Sequence, residues 1–160
     1  RAFLVEVMGR DCGYLAVMAG IVSGAEMVLT PETPVTVEEV AKAVEDAYLR
    51  GKAHAIIIVA EGARVKVVDL ARKMEEMNVG FESRITILGH IQRGGSPTAF
   101  ERMLATRMGV AAVQALASGQ SDVMTALQGR SMVMVPLADA TSKARAINPE
   151  YLEMAHILSR

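Results

Sequence analysis

Apolar residues follow two alternating spacings along the chain. Short continuous apolar runs, several of them rich in β-branched side chains, predict strands. These predicted strands are residues 4–7, 27–29, 54–60, 84–88 and 132–135. Segments in which apolar residues return every three or four positions predict helices at residues 14–22, 36–51, 67–78 and 96–119, with a last helix from residue 148 onward. Strands that alternate with helices favour an α/β fold, a mostly parallel sheet with helices on both faces in a Rossmann-like three-layer sandwich.

Three of the predicted helices have recognisable start signals. Thr36 and the glutamate three positions later have the spacing of a capping box. Asn148 and the proline that follows it are typical of a helix start. Ser96-Pro97 has the character of an N-cap residue and a first-turn proline, and we expect it to open the long fourth helix.

Chain length and composition predict one main domain. The 160 residues are 51% hydrophobic, which is enough for a sizeable core. Residues 118–130 are rich in Gly, Ser and Gln and are predicted to be a linker. We therefore expect an α/β domain over residues 1–117 and a C-terminal strand and helix over residues 118–160. The chain enters its first strand almost at once, without an initiator methionine or a leader, so we expect it to be part of a longer product.

Charge and cysteine usage exclude several classes of protein. The 17 basic and 18 acidic residues are spread along the chain and give a formal net charge of -1, so nucleic acid and acidic membranes are not expected partners. The apolar runs are too short to span a bilayer, and we expect a soluble cytoplasmic protein. Cys12 is the only cysteine and is predicted to be a buried thiol. His54 and His156 lack spaced ligand partners, so spacing alone assigns no metal.

The loops after the strands contain the candidate functional residues, because ligands of open α/β sheets bind at the carboxyl ends of the strands. Arg10 follows the first strand and suits a transferring phosphoryl group, although an exposed loop arginine has the same pattern. Glu61 ends the third strand, where it either accepts hydrogen bonds from sugar hydroxyls or is simply solvated. His90 and Arg93 flank a glycine-rich turn before the fourth helix, which predicts either a phosphate cradle or a purely structural turn.

Two further patterns are weighed against these loops. The basic residues Arg50 and Lys52 are typical of a helix C-terminus stabilised by positive charge, and a second anion site there is an alternative. The first strand is not followed by the G-x-G-x-x-G fingerprint, which disfavours a dinucleotide-binding oxidoreductase.

The segments Val5-Glu-Val-Met-Gly-Arg10 and Leu88-Gly-His-Ile-Gln-Arg-Gly-Gly-Ser-Pro97, with Glu61 between them, resemble the 6-phosphofructokinase family. The resemblance extends over residues 1–117 and weakens beyond. Members transfer a phosphoryl group from ATP, or from pyrophosphate in one branch, to the 1-hydroxyl of fructose 6-phosphate with Mg²⁺. The resemblance implies that this chain is the substrate-binding second half of a two-domain subunit.

The same resemblance implies roles for individual residues. Arg10 would be the catalytic residue; Met8, Gly9 and Glu61 would contact the sugar. Three residues would hold the 6-phosphate: Arg84, His90 and Arg93. Arg1 and Arg84 match arginines that reach into a neighbouring subunit, so a homo-oligomer is implied, with a homotetramer expected.

Bacterial members of the family also bind a nucleotide effector at a subunit interface. The positions that match this effector site are Gly24, Glu26, Arg50 and Lys52, with Glu26 expected to hold the effector's Mg²⁺. Ala53 stands where one bacterial pattern has a lysine, and Glu101 stands where the family usually has aspartate.

The family's nucleotide loop and catalytic-base motif have no counterpart in these 160 residues. We therefore expect the donor and its Mg²⁺ to bind mainly through another half, and this chain alone to be inactive. Two alternatives are a pyrophosphate-dependent enzyme and a non-catalytic regulatory module that binds sugar phosphate or nucleotide.

Overall fold

The computed structural model of the chain describes residues 1–78, 80–142 and 147–159. They form two compact units, of which the first contains residues 1–94 with residues 147–159 and the second contains residues 95–142. The strands are β1 (Ala2–Val7), β2 (Met27–Leu29), β3 (Ala55–Ala60), β4 (Ser83–Ile87), β5 (Val123–Gln128) and β6 (Ser131–Pro136). The helices are α1 (Tyr14–Ser23), α2 (Val37–Leu49), α3 (Val67–Glu76), α4 (Ala99–Ala117), α5 (Leu137–Thr141) and α6 (Pro149–Leu158).

The first unit is built on a four-stranded parallel sheet in the order β2-β3-β1-β4. Its central strand β3 is apolar on both faces because helices cover both. On one face, Leu4 and Ile57 pack with Val40 of α2 and Leu70 of α3, all of them fully buried. The predicted α/β fold with helices on both faces of a parallel sheet is confirmed.

The opposite face of this sheet is covered by α1. Val7 and Ile58 pack there with Ala16 of the helix. The C-terminal helix α6 packs in turn on α1, and the rings of Tyr14 and Tyr151 lie 6.5 Å apart. Helix α6 therefore belongs to the first unit, although the residues of the second unit lie between α6 and the rest of the first unit in sequence.

The start signals of α2 and α6 act as predicted. Thr36 and Glu39 form a reciprocal capping box, in which the Glu39 backbone donates to the Thr36 hydroxyl and Thr36 N donates to the Glu39 carboxylate. The Asn148 side chain accepts a hydrogen bond from Glu150 N at 3.1 Å. The predicted ends of α2 and α3 are each about two residues too long, because a helix's last turn has no sequence signal as sharp as its cap.

The second unit corrects two predictions. The helix after the glycine-rich turn begins at Ala99, and its N-cap is Thr98 rather than Ser96, because Thr98 and Glu101 form a complete capping box. The predicted linker at residues 118–130 contains the strand β5, which pairs with β6 as an antiparallel hairpin closed by Gly129 and Arg130. This hairpin is a local departure from the otherwise parallel pairing.

The compact units divide after Gly94. The predicted division at residue 117 marks where the family resemblance weakens, and as a domain assignment it stays a prediction. Within the described part of the chain, no helix is both long enough and apolar enough to cross a membrane.

Candidate functional site

The loops after β1, β3 and β4 meet at one edge of the parallel sheet. β1 lies between the other two strands, with Val7 aligned to Ala60 of β3 and Glu6 aligned to Ile87 of β4. Because the three strands run in the same direction, the loops that follow them emerge side by side. This arrangement brings together Arg10, Glu61 and the segment that contains His90 and Arg93, as the sequence predicts.

Side chains from three other loops hold the backbone of residues 8–13, the loop after β1. Met8 N donates a hydrogen bond to Gln92 Oε1 at 2.8 Å, and Arg10 N donates to Glu61 Oε1. Gly13 N donates to both carboxylate oxygens of Glu32, at 3.0 and 3.1 Å. Each acceptor follows a different strand, so the loop is fixed from three directions.

The backbone conformation at Arg10 is unusual for a residue with a side chain. Its φ is +49°, a left-handed value that costs an ordinary residue about 1–2 kcal/mol, so the surroundings must enforce it. Gly9 has a φ of +149°, and Cys12 N donates to its carbonyl at 3.0 Å to close a tight turn. Gly62 lies directly against the Arg10 carbonyl, where a Cβ would come within 1.9 Å of the oxygen. The turn therefore requires glycine at positions 9 and 62.

Three basic side chains at this edge have no partner within the described part of the chain. Arg10, His90 and Arg93 are all exposed, and none has a hydrogen-bond or ion-pair partner for its side chain among the residues that the structure describes. Glu61 uses Oε1 for Arg10 N, whereas its Oε2 has no described partner. The edge thus offers cations and one carboxylate oxygen to a ligand, which suits an anionic compound that also has hydroxyl groups.

The segment after β4 is more regular than the glycine content suggests. Gly89–Arg93 forms a turn of 3-10 helix, whereas a flexible turn was expected. Its start at Gly89 has a φ of +49°. His90 and Arg93 belong to the first unit, and the N-terminus of α4 belongs to the second. The predicted cradle that combines both parts stays a prediction.

Arg1 and Arg84 lie apart from the other predicted substrate residues. Arg84 is near the start of β4, aligned with Phe3, and Arg1 precedes β1, so both are at the amino edge of the sheet. A strand of this length separates the two edges by roughly 15 Å. Both arginines are bound by Glu82, with Arg1 Nε 3.3 Å from its carboxylate and Arg84 paired to the other oxygen.

The residues predicted to bind an effector form a second cluster around Glu26. Glu26 is only 7% exposed; its carboxylate accepts hydrogen bonds from Lys52 Nζ at 2.7 Å and from Ile56 N. Arg50 donates to the carbonyl of Ser159 at 3.0 Å and lines, with Glu26, an open cavity of about 490 Å³. Gly24 ends α1 in the left-handed conformation. In the described ranges, no three His, Cys, Asp or Glu side chains are grouped as metal ligands would be.

Comparison with known proteins places this chain in a family. Two solved phosphofructokinases superpose well on the chain. The Saccharomyces cerevisiae structure has a TM-score of 0.82 at 32% identity, covering 99% of this chain and 23% of that one. The Pichia pastoris structure in the T-state has a TM-score of 0.80 at 35% identity, covering 89% of this chain and 16% of that one. A pyrophosphate-dependent phosphofructokinase from Marinobacter aquaeolei has a TM-score of 0.81 at 22% identity, over 94% of this chain and 43% of that one; it shows the fold alone.

The sequence family described as Phosphofructokinase matches residues 1–116. The chain belongs to the phosphofructokinase family. Among curated relatives, the ATP-dependent 6-phosphofructokinase of Thermotoga neapolitana is 53% identical over 159 residues, which are 99% of this chain and 49% of that protein. The enzyme of the same description from Clostridium acetobutylicum is 44% identical over 100% of this chain and 50% of its own length. The chain therefore spans about half the length of the curated relatives it matches.

Sequence reasoning missed three residues of this site. Gln92 and Glu32 accept hydrogen bonds from amides 84 and 19 positions away, and neither has a local sequence signal. Gln92 lies inside the segment that carries the family resemblance, which could have indicated it. Gly62 was visible only as the residue after Glu61, and its role depends on a contact with Arg10.

Proposed function

We propose that this chain supplies the sugar-phosphate site of an ATP-dependent 6-phosphofructokinase, which transfers a phosphoryl group from ATP to the 1-hydroxyl of fructose 6-phosphate in glycolysis. The observation that carries the proposal is the fixed Met8–Gly13 loop, which places Arg10 beside Glu61 and the segment of His90 and Arg93. Family membership supports the reaction type, and curated relatives described as ATP-dependent support ATP as the donor. Such an enzyme acts in the cytoplasm.

Each residue at the edge has a role that its chemistry suits. The Arg10 guanidinium stabilises negative charge on the transferring phosphoryl group, an electrostatic contribution that phosphoryl transfer depends on. His90 and Arg93 donate hydrogen bonds to the 6-phosphate. Met8 and Gly9 contact the sugar, and Glu61 Oε2 accepts a hydrogen bond from one of the sugar hydroxyls.

The remaining parts of the site lie beyond these residues. Mg²⁺ enters with ATP and is held mainly by groups outside this sequence; it neutralises charge on the donor phosphates. Arg1 and Arg84 act in a neighbouring subunit's site, since they lie at the opposite edge of the sheet from Arg10. The functional enzyme is therefore a homo-oligomer, which we take to be a tetramer.

The experiment that tests this proposal is a phosphoryl-transfer assay on the full-length gene product with fructose 6-phosphate and Mg²⁺, run in parallel with ATP and pyrophosphate. We expect transfer from ATP. Arg10→Ala should lower kcat by about 10³-fold, because an arginine aimed at the transferring group contributes on that order. Arg93→Ala should mainly raise the KM for fructose 6-phosphate.

A matched control is Arg72→Ala, which removes an exposed arginine whose ion pairs, among the residues that the structure describes, are with Asp69 and Glu76 of its own helix. This variant should behave as the parent protein. Transfer from pyrophosphate and not from ATP would show that pyrophosphate is the donor. If the folded protein transfers a phosphoryl group from neither donor, the proposal that it is an enzyme is refuted, and a regulatory module that binds sugar phosphate is favoured.

A further inference from the structure

Helix α1 begins without a capping residue of its own. Its N-cap position is Gly13, which has no side chain, and its first turn contains no acidic residue. The first amides of a helix need acceptors, and they usually receive one from a Ser, Thr, Asp or Asn at the N-cap. By contrast, α2 and α4 have complete capping boxes from adjacent residues. The start of α1 therefore depends on a group from elsewhere.

Glu32 supplies that group from the loop after β2. Its two carboxylate oxygens lie 3.0 and 3.1 Å from Gly13 N, so a full negative charge sits at the positive end of the α1 dipole. The carboxylate thereby occupies a position that suits an anion. It also anchors the C-terminal end of the Met8–Gly13 loop, whose other anchored amides are those of Met8 and Arg10.

The loop that contains Glu32 has hydrogen bonds of its own. Thr30 is only 1% exposed, and its hydroxyl accepts a hydrogen bond from Thr33 N at 3.1 Å and pairs with the Thr33 hydroxyl at 2.7 Å. A Cβ at Gly13 would lie 2.4 Å from Thr30 Cβ and 2.7 Å from Glu32 Oε2, so the two loops are in close contact. Glu32 therefore holds the α1 start from a hydrogen-bonded loop that packs closely against it.

We propose that Glu32 is a positioning residue for the phosphoryl-transfer site. It fixes the end of the loop that contains Arg10. The hydrogen bond from Arg10 N to Glu61 is thereby kept, and the guanidinium keeps its orientation toward the ligand. Glu32 acts through the backbone and does not touch the substrate. This inference rests on the proposed function of Arg10, whereas the clamp on Gly13 is independent of it.

The test uses three variants of the full-length protein. Glu32→Ala removes the acceptor, Glu32→Gln keeps a carbonyl acceptor without the charge, and Glu45→Ala removes an exposed glutamate on α2 as a matched control. Amide hydrogen exchange of residues 9–17 and steady-state kinetics are measured on each, after thermal unfolding has shown that each is folded.

In Glu32→Ala we expect exchange of the Gly13 amide to accelerate by at least about 10-fold, and kcat/KM for fructose 6-phosphate to fall by about 10- to 100-fold, because a misplacement near 1 Å has effects of that size. The KM for fructose 6-phosphate should rise, because the same loop contains Met8 and Gly9, which are proposed to contact the sugar, while the KM for ATP stays within about twofold. A purely structural role would lower the active fraction and hence kcat, without changing either KM. Glu32→Gln should recover most of the loss, and Glu45→Ala should match the parent.

Three results would overturn the proposal. Unchanged exchange at Gly13 in Glu32→Ala would show that Glu32 does not hold the loop. Accelerated exchange with parental kinetics would show that the loop's end has no influence on the site. Equal impairment of Glu32→Gln and Glu32→Ala, with parental exchange in the former, would indicate direct action of the charge on the ligand. A parent protein without phosphoryl transfer would refute the proposed function, and hydrogen exchange would still decide on the clamp.

Discussion

Replacement of Gly62 by alanine places a methyl group against the backbone of the Arg10 loop. The added Cβ would lie 1.9 Å from the Arg10 carbonyl oxygen, 2.9 Å from its carbon and 3.0 Å from Cγ of Pro31. The oxygen belongs to the backbone and cannot rotate away as a flexible side chain could. One of the two loops must therefore move by about 1 Å before the contact becomes tolerable.

The energetic cost follows from this displacement. Overpacking by a single methyl group typically costs about 1–3 kcal/mol. The displaced segment is also the one that Glu61 holds through Arg10 N, so that hydrogen bond is lost or lengthened, which adds about 1 kcal/mol. We expect Gly62→Ala to lower the free energy of unfolding by about 2–4 kcal/mol.

The effect on activity should be comparable in free energy to the effect on stability. If Arg10 has the proposed catalytic role, a displacement of about 1 Å there is sufficient for a loss of about 100-fold in kcat/KM. The assay combines urea unfolding with steady-state kinetics at a temperature where the variant is fully folded. Gly109→Ala is the matched control, because its added methyl group contacts nothing in the described chain.

Parental kcat/KM in folded Gly62→Ala would refute the reasoning, since it would mean that the Arg10 loop can move without consequence. Stability at or above that of the parent, as expected for Gly109→Ala because alanine is favoured over glycine inside a helix, would refute the steric argument itself.

Two further predictions concern pH and the second cluster. The pKa of Glu101 lies below its usual value because its carboxylate accepts a hydrogen bond from the Thr98 backbone. The contribution of this carboxylate to stability is therefore present above about pH 4.3 and is lost as the pH falls through the lowered pKa. The unfolding midpoint of Glu101→Gln should differ from that of the parent near neutral pH and converge with it in acid, and a difference that stays constant with pH would contradict this. We also propose that a nucleotide effector binds beside Glu26 and Arg50, so Arg50→Ala should abolish the response of phosphoryl transfer to added ADP while leaving basal turnover within about twofold; a retained response would exclude Arg50 from that site.

Much of the fold was predictable because its signals are local. The continuous apolar run at β3 indicates a strand buried on both faces, and Ile57 and Ile58 indeed face opposite covered sides. The capping box at Thr36 gives the start of α2 to the residue. These signals succeed because each depends on neighbours a few positions away.

The errors in the second unit have a physical cause. Ser96-Pro97 and Thr98-Glu101 are competing start signals, and the latter prevails because it satisfies two backbone donors reciprocally. The strand β5 is only partly buried in a two-stranded hairpin, and its apolar residues come in pairs that do not alternate with polar ones, so the period-2 pattern of a strand is missing.

The site residues were predictable only where the side chain itself has a functional group suited to a ligand. Arg10, Glu61, His90 and Arg93 stand out by residue type after the strands. Gln92 and Glu32 act on backbone amides far away in sequence, and nothing around them indicates this. The sheet order that brings their loops together arises from tertiary structure.

The dependence of α1 on Glu32 also bears on how this unit folds. The α2 and α4 starts can form from adjacent residues, whereas the N-cap amide of α1 obtains its acceptor only after β2 has paired with β3 and brought residues 30–33 into place. The clamp should thus be absent from the folding transition state. Loss of the Glu32 carboxylate should then accelerate unfolding and leave the refolding rate nearly unchanged, which stopped-flow measurements on Glu32→Ala would reveal. The segment that shapes the catalytic loop would be among the last to become ordered.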